Sequence, residues 1–166
     1  MKKVPYALSV LMLILSVASL SSCKKDKKTT PVVKSTVTAD IDGKATDFSS
    51  FAIVLTGSTN GNNFTAIQGD AADGSSISVS VYGTLTAGKT YTIDGSDFGT
   101  GPAIAYSTSN GDTYLPDENS STTLSVTITA VSASSIQGSF KGELAYVGSG
   151  AKPGKSVTNG KFNVQR

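Results

Sequence analysis

A chain of 166 residues has room for one domain, and with no histidine and a single cysteine it lacks Ser-His-Asp and Cys-His catalysis, the usual zinc sites and any internal disulfide. The formal charge of +2 is unevenly spread: residues 24–34 carry five lysines against Asp26, while the chain from Ser35 onward carries seven basic and eleven acidic residues, a net of −4. The lysine cluster has no aromatic residue among it, so it reads as a solvated spacer beside an anionic lipid surface and does not argue for a nucleic-acid partner.

In chain order, a positively charged start (Lys2, Lys3) precedes a mostly apolar run from Tyr6 to Leu20. That run is shorter than the roughly 20 residues of a spanning helix and has the form of a secretion-signal core. Leu20-Ser21-Ser22-Cys23 follows directly. It resembles the lipobox of bacterial lipoproteins, in which an aliphatic and two small residues precede the cysteine. Small residues let a peptidase approach the extended backbone, and the thiol becomes a thioether to diacylglycerol.

The resemblance implies a signal peptide over residues 1–22, recognised by signal peptidase II through Leu20, Ser21 and Ser22. It also implies lipidation of Cys23, with fatty acids such as palmitate. Several acyl chains, at about 0.8 kcal/mol per buried CH₂, hold a membrane where one chain does so only marginally. By the enterobacterial sorting rule, Lys24 in place of Asp sends such a chain to the outer membrane, with the periplasmic and surface-exposed sides both open. Residues 23–34, with Pro31, read as the lipidated Cys and a flexible Lys-rich tether.

From Ser35 to Arg166 the pattern is that of a β domain. Val37, Ala39 and Ile41 alternate with polar residues up to Asp42-Gly43, a tight hairpin turn. Phe51, Ile53 and Leu55 give a second apolar face, closed by a loop over 57–63, and Phe64 to Gln68 a third run. Ile77, Val79 and Val81 alternate, and Gly88 punctuates before Thr90 to Ile93. Ala103 to Thr108 leads to Asn110-Gly111, which reads as a two-residue turn before Tyr114 and Leu115. Leu124, Val126 and Ile128 alternate, and Ile136, Gly138, Phe140, Gly142, Leu144 and Tyr146 share one face. A loop at 148–155 leads to a last strand with Phe162 and Val164. The spacing predicts an all-β, antiparallel sandwich or barrel of about 8–10 short strands. A sandwich would be packed solid by Phe51, Ile77, Val79, Val126, Phe140 and Leu144, whereas a carrier would leave a cavity between them.

Four segments carry a resemblance over residues 35–166: Thr38-Ala39-Asp40-Ile41-Asp42-Gly43-Lys44, Gly88-Lys89-Thr90-Tyr91, Ile136-Gln137-Gly138-Ser139-Phe140, and Val157-Thr158-Asn159-Gly160-Lys161-Phe162. In order and spacing they are similar to an uncharacterised family of small Bacteroidota lipoproteins with a β-sandwich-like domain. The resemblance implies a fold and an envelope location, and brings no activity or catalytic residue with it.

Candidate chemistry in the domain is sparse. Gly88-Lys89-Thr90 lacks the upstream glycine and following helix of a phosphate loop and reads as a turn. Asp40, Asp42 and Glu143 are carboxylates on polar strand faces, read as solubilising charge unless two of them flank a cleft. Asp70, Asp73, Asp94, Asp97, Asp112, Asp117 and Glu118 fall in loops, and none fits the Ca²⁺-loop spacing. Tyr82, Tyr91, Tyr106, Tyr114 and Tyr146 would make a sugar-stacking platform only if they converged; core and sheet-surface positions are the simpler use. No catalytic residue, metal ligand or cofactor is expected. The functional expectation is a lipid-anchored envelope lipoprotein with a non-enzymatic binding or structural domain and a protein or glycan partner. The alternative is a small-molecule or glycan carrier at the outer membrane.

Overall fold

Alternation of apolar and polar residues, broken by Gly, Asn and Asp, turns most of the described residues beyond Lys34 into strands. The computed structural model describes residues 33–59, 61–93, 101–116 and 124–166, and every regular element in them is a strand. These are β1 (Thr36–Ile41), β2 (Lys44–Asp47), β3 (Phe51–Thr59), β4 (Asn62–Asp70), β5 (Ser76–Tyr82), β6 (Thr90–Ile93), β7 (Ala103–Ser107), β8 (Thr113–Pro116), β9 (Leu124–Val131), β10 (Ser135–Val147) and β11 (Lys155–Gln165). Among the described residues there are therefore eleven strands, one more than the upper end of the expected range. The addition is β2, folded back on β1 by Asp42 and Gly43, whose φ values of 52° and 78° suit a two-residue hairpin turn.

All ladders between the strands are antiparallel, in the order β2-β1-β11-β10-β8-β7-β5-β4-β3, with β9 and β6 branching from β10. The branch point explains the architecture. β10 gives one edge to β11, while its other edge pairs with β9 over Ile136–Lys141 and with β8 over Leu144–Val147. Its ladders are irregular at Gln137/Gly138 against β9 and at Phe140/Gly142 against β11, the kind of register shift that bends a strand locally. One half of the sheet is thus β6-β9-β10-β11-β1-β2 and the other β10-β8-β7-β5-β4-β3. The sheet does not close into a barrel. It folds over in sandwich-like fashion, with both inner faces feeding one core.

Cross-strand rows build that core. Val54, Ile67, Val79 and Ile104 align across β3, β4, β5 and β7. Val37, Phe162, Gly138 and Ile128 align across β1, β11, β10 and β9. The Phe140 and Phe162 rings stack with centroids 6.2 Å apart, and a Cβ on Gly138 would overlap both the Phe162 ring and the Thr127 carbonyl. The halves also touch directly: a Cβ on Gly69 of β4 would lie 2.8 Å from the Phe48 carbonyl oxygen and 2.9 Å from Val37 Cβ.

A short seam joins β1 to β4. The Phe48 N–H donates to the Val37 carbonyl (2.8 Å), and the Val37 N–H donates to Ser49 Oγ (3.0 Å). The Ser49 hydroxyl also lies 3.2 Å from that carbonyl, and the Ser50 N–H donates to the Asp70 carbonyl (3.0 Å). Phe48 is fully buried and Ser49 nearly so. One serine side chain therefore stands in for a ladder partner where the backbone turns away.

Three expectations need correction. Phe51 is not a core residue: it is 52% exposed, and Leu55 is 44% exposed. Register puts Ala52 and Val54 inward instead, against the core. The loop expected at 57–63 is largely strand, because β3 and β4 stay paired out to Thr59 and Asn62. Asn110-Gly111 sits in a five-residue connection between Ser107 and Thr113, closed by the Thr108 N–H donating to the Asp112 carbonyl (2.9 Å). Ile77, Val79, Val126, Phe140 and Leu144 are all buried, as expected.

Candidate functional site

Side-chain chemistry concentrates at one end of the core, where β7, β8 and the far end of β10 meet. Register sets Tyr106 beside Tyr114 and Tyr114 beside Tyr146 on the inner face. Their ring centroids are 6.0 and 5.6 Å apart, and Phe48 meets Tyr106 edge-on at 6.2 Å. Tyr114 is buried, while Tyr106 and Tyr146 are half-buried. Burial raises the Tyr106 phenol above its ordinary value.

Two lysines cap this row. Lys152 Nζ lies 4.9 Å from the Tyr146 ring centroid and Lys155 Nζ 5.8 Å from that of Tyr114, within cation–π range. Each is also ion-paired at 2.6 Å, Lys152 with Asp112 and Lys155 with Asp42. The hydrogen bond that each lysine donates to its aspartate raises it above the ordinary ammonium range. Burial works against the Asp42 carboxylate, but hydrogen bonds from Lys155 and the Ser156 N–H, with the lysine charge, outweigh it and lower its pKa. An open groove of about 450 Å³ runs beside this cluster, lined in part by Glu143, Tyr146, Gly150 and Lys152.

The carboxylates singled out in the sequence are partly brought together. Ser156 lies between two of them: its N–H donates to Asp42 (3.0 Å) and its hydroxyl to Glu143 (2.7 Å). Asp40 stands apart and accepts from the Asn159 amide (2.7 Å). All three therefore serve as acceptors that fix the β1 and β10 contacts with β11. Of the acids expected in loops, Asp73 accepts from the N–H and hydroxyl of Ser75 and Asp112 holds Lys152, whereas Asp70 is the last residue of β4 rather than a loop residue, paired with Phe51 and Ser76, and accepts from Gln68. Among the described residues no three His, Cys, Asp or Glu side chains converge as a metal site. Asp94, Asp97, Asp117 and Glu118 lie outside the described residues, as do the lipobox residues Leu20, Ser21, Ser22 and Cys23.

The five tyrosines do not form one platform. Tyr82 packs against Phe64 at 6.1 Å, away from the row. The Tyr91 hydroxyl donates to the Thr84 carbonyl (2.9 Å) and accepts from the Thr86 N–H (3.1 Å), pinning the β5–β6 connection. Gly88-Lys89-Thr90 forms the turn into β6, with Gly88 at φ 80° and Lys89 over the Tyr91 ring. Sequence pattern alone does not single out Lys152 and Lys155 as partners of the tyrosines. Their only sequence signal is position, two lysines in a Gly-rich stretch just after Tyr146.

No family model, no curated protein and no solved structure matches this chain. Its residues and their geometry are the whole basis for a functional reading.

Proposed function

We propose that this chain is a lipid-anchored lipoprotein of the bacterial cell envelope, at the outer membrane, whose β domain binds or scaffolds without catalysing a reaction. The observation that carries the reading is Leu20-Ser21-Ser22-Cys23 at the end of an apolar signal core, with Cys23 the only cysteine of the chain. The Asp40, Asp42, Asp112 and Glu143 carboxylates and the Lys152 and Lys155 ammonium groups are engaged in structural pairs.

The alternative carrier role has one supporting feature, the groove beside Tyr146 and Lys152. A ligand held inside the fold is less well supported, because ring stacking of Phe140 on Phe162 and the close approach at Gly69 fill the core.

Metabolic labelling with a fatty-acid analogue tests the anchor. The wild-type chain is expected to label and the Cys23→Ala chain to lose the label; label persisting without Cys23 sinks the proposal. Protease treatment of intact cells then reports the side of the membrane, and a pull-down from the same cells reports the partner.

A further inference from the structure

The seven residues from Gly148 to Gly154, which join β10 to β11, are all exposed, and none enters a backbone hydrogen bond among the described residues. Both ends are fixed by ladders, Val147 against Thr113 and Lys155 against Leu144. Between those ends stand three glycines, which give up more conformational freedom on ordering than any other residue. Yet the connection lies against the tyrosine row. A Cβ on Gly148 would overlap the Tyr146 hydroxyl, and Lys152 Nζ sits over the Tyr146 ring at 4.9 Å.

Among the described residues, one side chain fastens it. Lys152 Nζ lies 2.6 Å from both carboxylate oxygens of Asp112. Asp112 is a fixed post: its N–H donates to Thr108 Oγ1 (3.2 Å) and its carbonyl accepts from the Thr108 N–H (2.9 Å). Lys155, by contrast, is held by the β10 ladder as well as by Asp42, so that end stays in place without its ion pair.

We propose that this connection is a salt-sensitive strap over Tyr146, fastened by Lys152 to Asp112 and released when that pair is screened. The pair is open to water, with side-chain exposures of 43% and 26%. An exposed ion pair contributes little and is weakened by salt. The freedom lost in ordering the glycines opposes it, so closed and open forms lie close in free energy and a small change in screening shifts their populations. Release takes Lys152 off the Tyr146 ring and widens the groove of about 450 Å³ that Gly150, Ala151, Lys152 and Gly154 help to line. The strap thus sets how much of that ring the groove presents. It does not depend on the lipid anchor.

Nitration of the full chain in mild detergent by tetranitromethane, read at each tyrosine by peptide mass spectrometry, tests it, with circular dichroism as the check on folding. The reference is Tyr82, which packs on Phe64 away from the row. Raising the ionic strength from about 0.01 M to about 1 M shortens the screening length from about 30 Å to about 3 Å. It is expected to raise the Tyr146-to-Tyr82 nitration ratio at least about twofold. Asp112→Asn and Lys152→Gln are each expected to give the high ratio already at low salt and to remove its salt dependence. Asp42→Asn, which removes the other ion pair but leaves Lys155 in its ladder, is expected to keep the wild-type salt response. A wild-type ratio that does not change with salt overturns the proposal. So does a ratio that Asp112→Asn leaves at the wild-type low-salt value, or a salt response lost in Asp42→Asn.

Discussion

Replacing Ser49 with alanine removes the hydroxyl that serves both backbone groups of Val37 at the seam between β1 and β4. The Val37 carbonyl keeps a second donor, the Phe48 N–H at 2.8 Å, so it stays satisfied. The Val37 N–H does not: Ser49 Oγ at 3.0 Å is its acceptor, and the residue is 0% exposed, which leaves water little access. An orphaned buried donor costs about 1–3 kcal/mol, a large share of the roughly 5–15 kcal/mol that holds a domain together. Urea unfolding of Ser49→Ala should show a lower midpoint with an unchanged slope, since the surface exposed on unfolding is the same. Amide exchange supplies a local readout: the Val37 N–H should exchange faster than those of Val79 and Ile104 in the opposite half. If Ser49→Ala unfolds within about 0.5 kcal/mol of wild type, the variation usual for surface substitutions, the seam is not a hydrogen-bonded joint.

Gly138→Ala forces a methyl into the Phe162 ring and the Thr127 carbonyl and should destabilise by about 1–3 kcal/mol, part of it recovered by Phe162→Leu in a thermal melt. Asn159 sits at φ 52°, so Asn159→Val should cost about 1–2 kcal/mol in backbone strain beyond the lost Asp40 contact, whereas Asn159→Gly relieves the strain; denaturant midpoints compare the two. Acid should unfold the domain through its depressed carboxylates. Asp47 is lowered chiefly by hydrogen bonds from Ser49, and Asp42 by Lys155 and Ser156 against an opposing burial effect. Because these groups are more acidic folded than unfolded, their contribution is full above the unfolded value of about 3.9 and is lost as pH falls through the lower folded values. Asp47→Asn should therefore flatten the acid limb of a stability–pH curve, and an unchanged limb counts against that assignment.

Period-two patterning is legible in sequence wherever one face is polar. Val37, Ala39 and Ile41 face the core, as do Ile77, Val79 and Val81, because Thr, Asp and Ser alternate with them. The same logic fails on β3, where Phe-Ala-Ile-Val-Leu is apolar on both faces and the pattern cannot say which is inner. Pairing decides it, through the alignment of Val54 with Ile67. β2 is missed for the opposite reason: Lys-Ala-Thr-Asp has no apolar alternation, and only the Asp42-Gly43 turn and the β1 ladder make it a strand. The seam at Ser49 leaves no trace in a serine-rich chain. The tyrosine row depends on registers linking residues 106, 114 and 146 across three strands, so the individual tyrosines are visible in sequence while their convergence is not.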